Sequence, residues 1–166
     1  MAQVTLHGSP FNTNGDLPAV GSTAPDFKLV DAALNDVSLA DFAGKKKLIS
    51  IVPSLDTPTC ATSTKVFNQR LGSRSDVVVL VVSADLPFAQ GRFCQAEGTA
   101  DVKTLSMMRS RNFAKDYGIL LVDGPLAGIT ARGALVLDAD NKVVYAQLVG
   151  EIGDEPDYDA AIAALG

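Results

Sequence analysis

Leu48-Ile49-Ser50-Ile51-Val52-Pro53-Ser54-Leu55-Asp56-Thr57-Pro58-Thr59-Cys60 passes from an apolar run to a helix start with a single short loop between them. Leu48 to Val52 has the pattern of a buried strand. Pro53 has no N–H for a sheet ladder and ends that strand. Thr57 then reads as an N-cap and Pro58 as the first helical residue, where a missing N–H costs nothing, so a helix is predicted over Pro58 to Leu71. After it, Val77 to Ser83 holds five consecutive Val/Leu residues from Val78, the mark of a central strand covered on both faces. Strand, helix and buried strand in this order form a parallel unit.

Working outward, Asp85 is predicted to cap a helix with Pro87 in its first turn, ending near Gly98. Val102 to Leu105 reads as a short strand and Met108 to Tyr117 as a helix stopped by Gly118. Ala134 to Leu137 and Val143 to Leu148 form a hairpin around Asp138-Ala139-Asp140-Asn141, and Asp157 to Leu165 is a closing helix. On the N-terminal side, Gln3 to His7 alternates like a strand and Asn12-Thr13-Asn14-Gly15-Asp16 signals a hairpin turn, since Asn-Gly tolerates positive φ. Asp26 to Val30 and Val37 read as edge strands, and Ser38 with Asp41 as a capping box opening one helical turn. The predicted fold is a thioredoxin-like three-layer α/β/α sandwich, one domain over 1–166, with 1–18 as an added N-terminal β-hairpin.

Composition narrows the function. Hydrophobic residues at 47 % and charged residues at 20 % are ordinary for a globular domain, and no apolar run reaches the ~18 residues of a membrane span. A net charge of −5 argues against a nucleic-acid partner. The one basic run, Lys45-Lys46-Lys47, reads as a solvated turn. Met1 to Gly8 lacks the basic and apolar regions of a signal peptide, which makes the cytoplasm the expected compartment. With two cysteines and one histidine, neither a disulfide framework, a metal site nor a Cys-His hydrolase is supported.

The chemistry concentrates at Cys60. Counting from Thr57, it is the third helical residue, facing unpaired backbone N–H groups and the positive end of the helix dipole, which favour a thiolate. Thr57 either caps the helix with its hydroxyl or turns it toward a ligand in front of the sulfur. Pro53 is expected to wall one side of the pocket. Lowering a thiol pKa from ~8.5 to ~6 raises the thiolate fraction at pH 7 about 30-fold. A Brønsted slope of ~0.45 returns roughly 13-fold of that gain. A fast reaction therefore also needs a polarised substrate, and hence a cation. Arg132 is the best candidate, because it precedes the Gly133–Val136 run after a loop of small residues from Gly124 to Thr130; taken apart from the Cys60 segment it reads as a surface arginine. Asp56 opposes the trend and reads as an exposed loop residue or an orienter of a neighbour. Cys94, beside Phe93 and Ala96 on the second long helix, reads as either a small core residue or a redox partner.

Pro53, Thr57 and Cys60 match the PxxxTxxC motif, and the chain resembles the peroxiredoxins. Ser83-Ala84-Asp85-Leu86-Pro87-Phe88-Ala89-Gln90, Arg92-Phe93-Cys94, Asp123-Gly124-Pro125-Leu126, Ala131-Arg132 and Glu155-Pro156-Asp157-Tyr158 are similar to their thiol peroxidase subfamily, of the atypical two-cysteine type. Gly150 and Gly133 depart from it. The resemblance implies that Cys60 is the peroxidatic and Cys94 the resolving cysteine, closing an intramolecular disulfide. It further implies Pro53, Thr57 and Arg132 as a peroxide-binding set, hydrogen peroxide and organic hydroperoxides as substrates, thioredoxin as reductant, a homodimer, and no metal or organic cofactor. A binding module with structural cysteines and a protein thiol–disulfide oxidoreductase are the rivals. The second usually needs CxxC, whereas Ala61-Thr62-Ser63 follows Cys60.

Overall fold

A seven-stranded sheet with order β4-β3-β7-β6-β5-β8-β9 organises the chain, and a separate two-stranded sheet, β1-β2, stands at the N-terminus. The computed structural model describes residues 1–166. Its centre is β5 (Lys46–Ile51), β6 (Val77–Ser83) and β7 (Lys103–Ser106), which run parallel. Every residue of β6 is buried, as the continuous Val/Leu run requires of a strand covered on both faces. Helix α1 (Pro58–Leu71) joins β5 to β6, and α2 (Pro87–Glu97) joins β6 to β7. Both begin at the predicted prolines, and α2 ends at Gly98 in the left-handed region, φ +67°.

Beyond β5 the sheet turns antiparallel. β8 (Gly133–Leu137) pairs with β5 in the register Ile51↔Gly133, and β9 (Val143–Leu148) pairs with β8. That register sets Arg132 beside the carboxyl end of β5, where α1 begins. At the other side, β3 (Leu29–Val30) and β4 (Asp36–Val37) form a short antiparallel edge. A 3-10 turn follows at Leu39–Phe42, with the Asp41 carboxylate accepting from Ser38 N–H at 2.7 Å. Helix α4 (Tyr158–Leu165) closes the chain, capped by the Asp157 side chain. One apolar cluster lies on each face of the sheet, and the smaller, which includes Phe67, Val79, Val81 and Leu165, contains Cys60. No helix is long and apolar enough to cross a membrane.

Four local expectations are corrected. The N-terminal hairpin pairs β1 (Gln3–Leu6) with β2 (Ser9–Asn12), so its turn is His7-Gly8 and not the Asn-Gly segment. His7 and Gly8 both take positive φ, 50° and 80°, as a two-residue hairpin loop demands. Asn14 is instead spent on the body of the protein: its amide donates to Lys115 O at 2.9 Å and accepts from Leu120 N–H at 3.1 Å. Helix α3 covers only Asn112–Asp116. The residues before it are held irregular, with Met107 N–H on Ser83 O at 2.9 Å and the Arg111 guanidinium on Met107 O at 2.8 Å. Gly118 does end it, at φ +67°, where a Cβ would collide with the Asp16 backbone.

The basic run is not a solvated turn. Lys47 lies within β5 and is fully buried, with its Nζ donating to Asn141 Oδ1 at 2.6 Å. Burial lowers its pKa, against the pull of Asp138 and Asp140. Asp85 does not cap α2, whose N-cap residue is Leu86 without a side-chain bond.

Candidate active site

The first turn of α1 and the residue before β8 bring together three of the side chains that the sequence singled out, Thr57, Cys60 and Arg132. Thr57 is the N-cap, with extended backbone, Pro58 opens the helix, and Cys60 follows two positions later. The Thr57 hydroxyl does not cap. It lies 2.7 Å from Cys60 Sγ and 2.9 Å from Ser54 O. One hydroxyl proton serves one of these acceptors at a time. With a protonated thiol, S–H donates to Thr57 Oγ1 and the hydroxyl donates onward to Ser54 O. With a thiolate, the hydroxyl donates to sulfur. The amide N–H groups of Thr59 and Cys60 have no acceptor within the chain.

Arg132 meets the same sulfur from β8. Its Nη2 lies 3.3 Å from Cys60 Sγ, and Nε donates to Ile152 O at 3.0 Å. Arg132 is 2 % exposed and Cys60 is fully buried, so their attraction acts in a medium far less screening than water. Nη1 is buried without a partner. A buried guanidinium with a free donor beside a sulfur is an arrangement that accepts an electronegative ligand. Pro53 is buried at the turn between β5 and α1, and Asp56 is exposed.

Cys94 is not part of this cluster. It is a free, half-buried thiol lining a groove of about 640 Å³ together with Gly91, Thr99 and Leu105. Its own carbonyl accepts the N–H groups of Gly98 and Thr99, which terminate α2. Cys60 does not line that groove, and neither cysteine is in a disulfide.

Several supporting residues escaped the sequence. The segment 150–153 supplies the Ile152 carbonyl that aims Arg132, and the Gly153 carbonyl that accepts Thr59 Oγ1 at 2.8 Å. Glu151 within it accepts Thr5 Oγ1 at 2.7 Å, His7 N–H at 3.0 Å and Gly153 N–H at 3.2 Å. The Thr5 hydroxyl first, and then these amides, hold its pKa at about 2, although desolvation opposes them. The Tyr158 ring packs edge-on against Phe67 at 5.1 Å and its hydroxyl donates to Glu155 Oε1 at 2.7 Å. Burial, then Glu155, raises its pKa, with the Arg132 charge acting in the opposite sense. Carbonyls carry no sequence signal, which is why the 150–153 segment was invisible. Of the two departures noted, Gly133 has a packing reason: a Cβ there would lie 2.7 Å from Ile119 Cδ1. Gly150 has open space around it.

Comparison with known proteins bears on the fold and the family. The Redoxin family model matches residues 19–162. The chain is 52 % identical to the thiol peroxidase of Mycobacterium tuberculosis over 166 residues, covering 100 % of this chain and 99 % of the relative. Among solved structures, a peroxiredoxin-like protein from Aquifex aeolicus superposes with TM-score 0.91 at 40 % identity, covering 99 % of this chain and 96 % of that one. The thiol peroxidase from Chromobacterium violaceum superposes with TM-score 0.91 at 29 % identity, covering 98 % and 94 %. The chain belongs to the Redoxin family, as a thiol peroxidase of the peroxiredoxin type.

Proposed function

We propose that the chain, acting as a single domain, reduces hydrogen peroxide and organic hydroperoxides through Cys60, with Cys94 as resolving cysteine and thioredoxin as reductant. The Cys60 thiolate attacks the terminal, hydrogen-bearing peroxide oxygen and the O–O bond breaks. Sulfur is oxidised to sulfenic acid, and the departing alkoxide or hydroxide takes a proton and leaves as alcohol or water. Arg132 stabilises the charge growing on the leaving oxygen, and Thr57 and the free N–H groups at the helix start orient the peroxide. Pro53 shields the side from which water would approach. The Cys94 thiol then displaces water from the sulfenic acid to form the disulfide. A dithiol reductant opens that disulfide by exchange, restoring both thiols. The observation that carries this reading is the unpartnered Arg132 Nη1 beside a sulfur already met by Nη2 and Thr57. A homodimer in the cytoplasm belongs to the same proposal.

The test is peroxide-dependent oxidation of thioredoxin by wild type, Cys60→Ser and Cys94→Ser. Cys60→Ser should be inactive, and undiminished turnover in it refutes the reading. Cys94→Ser should consume about one equivalent of peroxide per chain and then stall. Sustained thioredoxin-linked turnover in that variant removes the resolving role.

A further inference from the structure

Asp85 lies between the two cysteine-bearing segments, and its carboxylate accepts three hydrogen bonds. Oδ1 accepts Ser54 Oγ–H at 2.7 Å, and Oδ2 accepts Leu55 N–H at 2.8 Å and Ser83 Oγ–H at 2.7 Å. Ser54 in turn holds the residue that touches the sulfur, since its carbonyl accepts the N–H of Thr57 at 3.2 Å and, while the thiol is protonated, its hydroxyl at 2.9 Å. On the other side, Ser83 Oγ accepts Gln90 Nε2–H at 3.0 Å, and the same amide donates to Leu105 O at 3.1 Å. A continuous path therefore runs Thr57, Ser54, Asp85, Ser83, Gln90, ending one helical turn before Cys94.

Two observations set this path apart from ordinary scaffolding. The only fully buried residues of α2 are Pro87 and Gln90. An amide thus fastens the middle of the helix, and beyond Pro87 the apolar side chains that α2 packs on the core, Phe93 and Cys94, are only half-buried, which lowers the cost of local opening. Gln90 Oε1 is also buried without a partner. Its orientation is fixed because Leu105 O accepts only from the amide nitrogen. A buried unsatisfied acceptor weakens the fold, and a polar group kept there at that cost makes a fastening that releases easily.

We propose that Asp85, Ser83 and Gln90 form a latch that positions the Thr57–Cys60 turn and couples its opening to that of α2. Asp85 is its positioning residue, acting on Cys60 through Ser54 and Thr57. With the latch closed, Thr57 is fixed against the sulfur for reaction with peroxide. When either end lets go, shared hydrogen bonds are lost at the other, so both cysteine-bearing turns open together. The proposal rests on the roles assigned above to Cys60 and Cys94, for which this joint opening is the step before disulfide formation.

Hydrogen exchange on the reduced protein tests it, at residues 55–57 and 88–94. Ser54→Ala removes two bonds at the Cys60 end, its own to Asp85 and that of Asp56 N–H to Ser54 Oγ, and should speed exchange at both segments by about 5-fold. In a Ser83→Ala background, which cuts the middle link, the same change should speed residues 55–57 alone. Rapid-quench mass spectrometry with hydrogen peroxide gives a second readout: Ser54→Ala should raise the ratio of the disulfide-forming to the peroxide-consuming rate constant by a similar factor. Faster exchange confined to 55–57 in the single variant, or an unchanged ratio of rate constants, overturns the latch. Absence of any sulfenic acid or disulfide in wild type would instead overturn the peroxidase reading, with the exchange measurement still deciding the coupling.

Discussion

Arg132 Nη2 lies 3.3 Å from Cys60 Sγ although 72 positions separate the two residues. The antiparallel pairing of β8 with β5 closes that distance, and Arg132 Nε on Ile152 O fixes the plane of the guanidinium. Arg132→Met should therefore lower the rate constant for peroxide reaction by about 10²–10³-fold, the usual loss for one preorganised donor at a developing charge. Arg132→Lys should recover little, because a single ammonium lacks the fork needed for both acceptors. Single-turnover peroxide consumption measures both.

Thr57 should behave as a hydroxyl and not as a helix cap, since its side chain makes no capping bond. Thr57→Ser is expected to stay within a few-fold of wild type, whereas Thr57→Val should lose about 10-fold or more in the same assay. If valine and serine variants react equally fast, the hydroxyl does not act on the sulfur.

Glu151 gives a pH dependence with a definite sign. Its folded pKa of about 2 lies below the ordinary 4.5, so its contribution is complete above pH 4.5 and is lost as pH falls toward 2. Since Thr5, His7 and Gly8 are its partners, amide protection in residues 3–12 should fall across that window. Glu151→Gln should weaken the same amides already at pH 7 and flatten the pH dependence.

Disulfide formation should release the end of α2. The N–H groups of Gly98 and Thr99 both bond to the carbonyl of Cys94, so moving that residue frees them. Their exchange should be at least about 10-fold faster in the disulfide form than in the reduced form. Equal protection in the two forms would contradict the movement.

The readable part of this protein was the local part. The start of α1 and the bounds of β6 follow from Pro58 and the Val77–Ser83 run because hydrophobic pattern and breakers act over a few residues. Cys60, Thr57 and Arg132 were legible from residue type and from the ends of predicted elements. Asp85 was misread because an aspartate shortly before Leu86-Pro87 looks like a cap, while its true partners, Ser54 and Leu55, arrive through the pairing of β5 with β6. Lys47 was misread for the complementary reason: a lysine normally stays in water, and the Asn141 side chain with the Asp138 and Asp140 charges, all in the β8–β9 turn, makes its burial tolerable. Asn14-Gly15 carried a strong turn signal, but Lys115 and Leu120 took the asparagine side chain first.

The Ile51↔Gly133 register also has a consequence for biosynthesis. The 72 residues from Ala61 through Arg132 take roughly 4–14 s to translate at ~5–20 residues/s. Throughout that interval the nascent chain carries a Cys60 without its guanidinium and without the strand that delivers it. A ribosome-bound chain arrested before β8 is expected to alkylate at Cys60 like an unstructured thiol and to ignore peroxide. The oxidant-reactive sulfur is thus completed only after most of the sheet has left the ribosome.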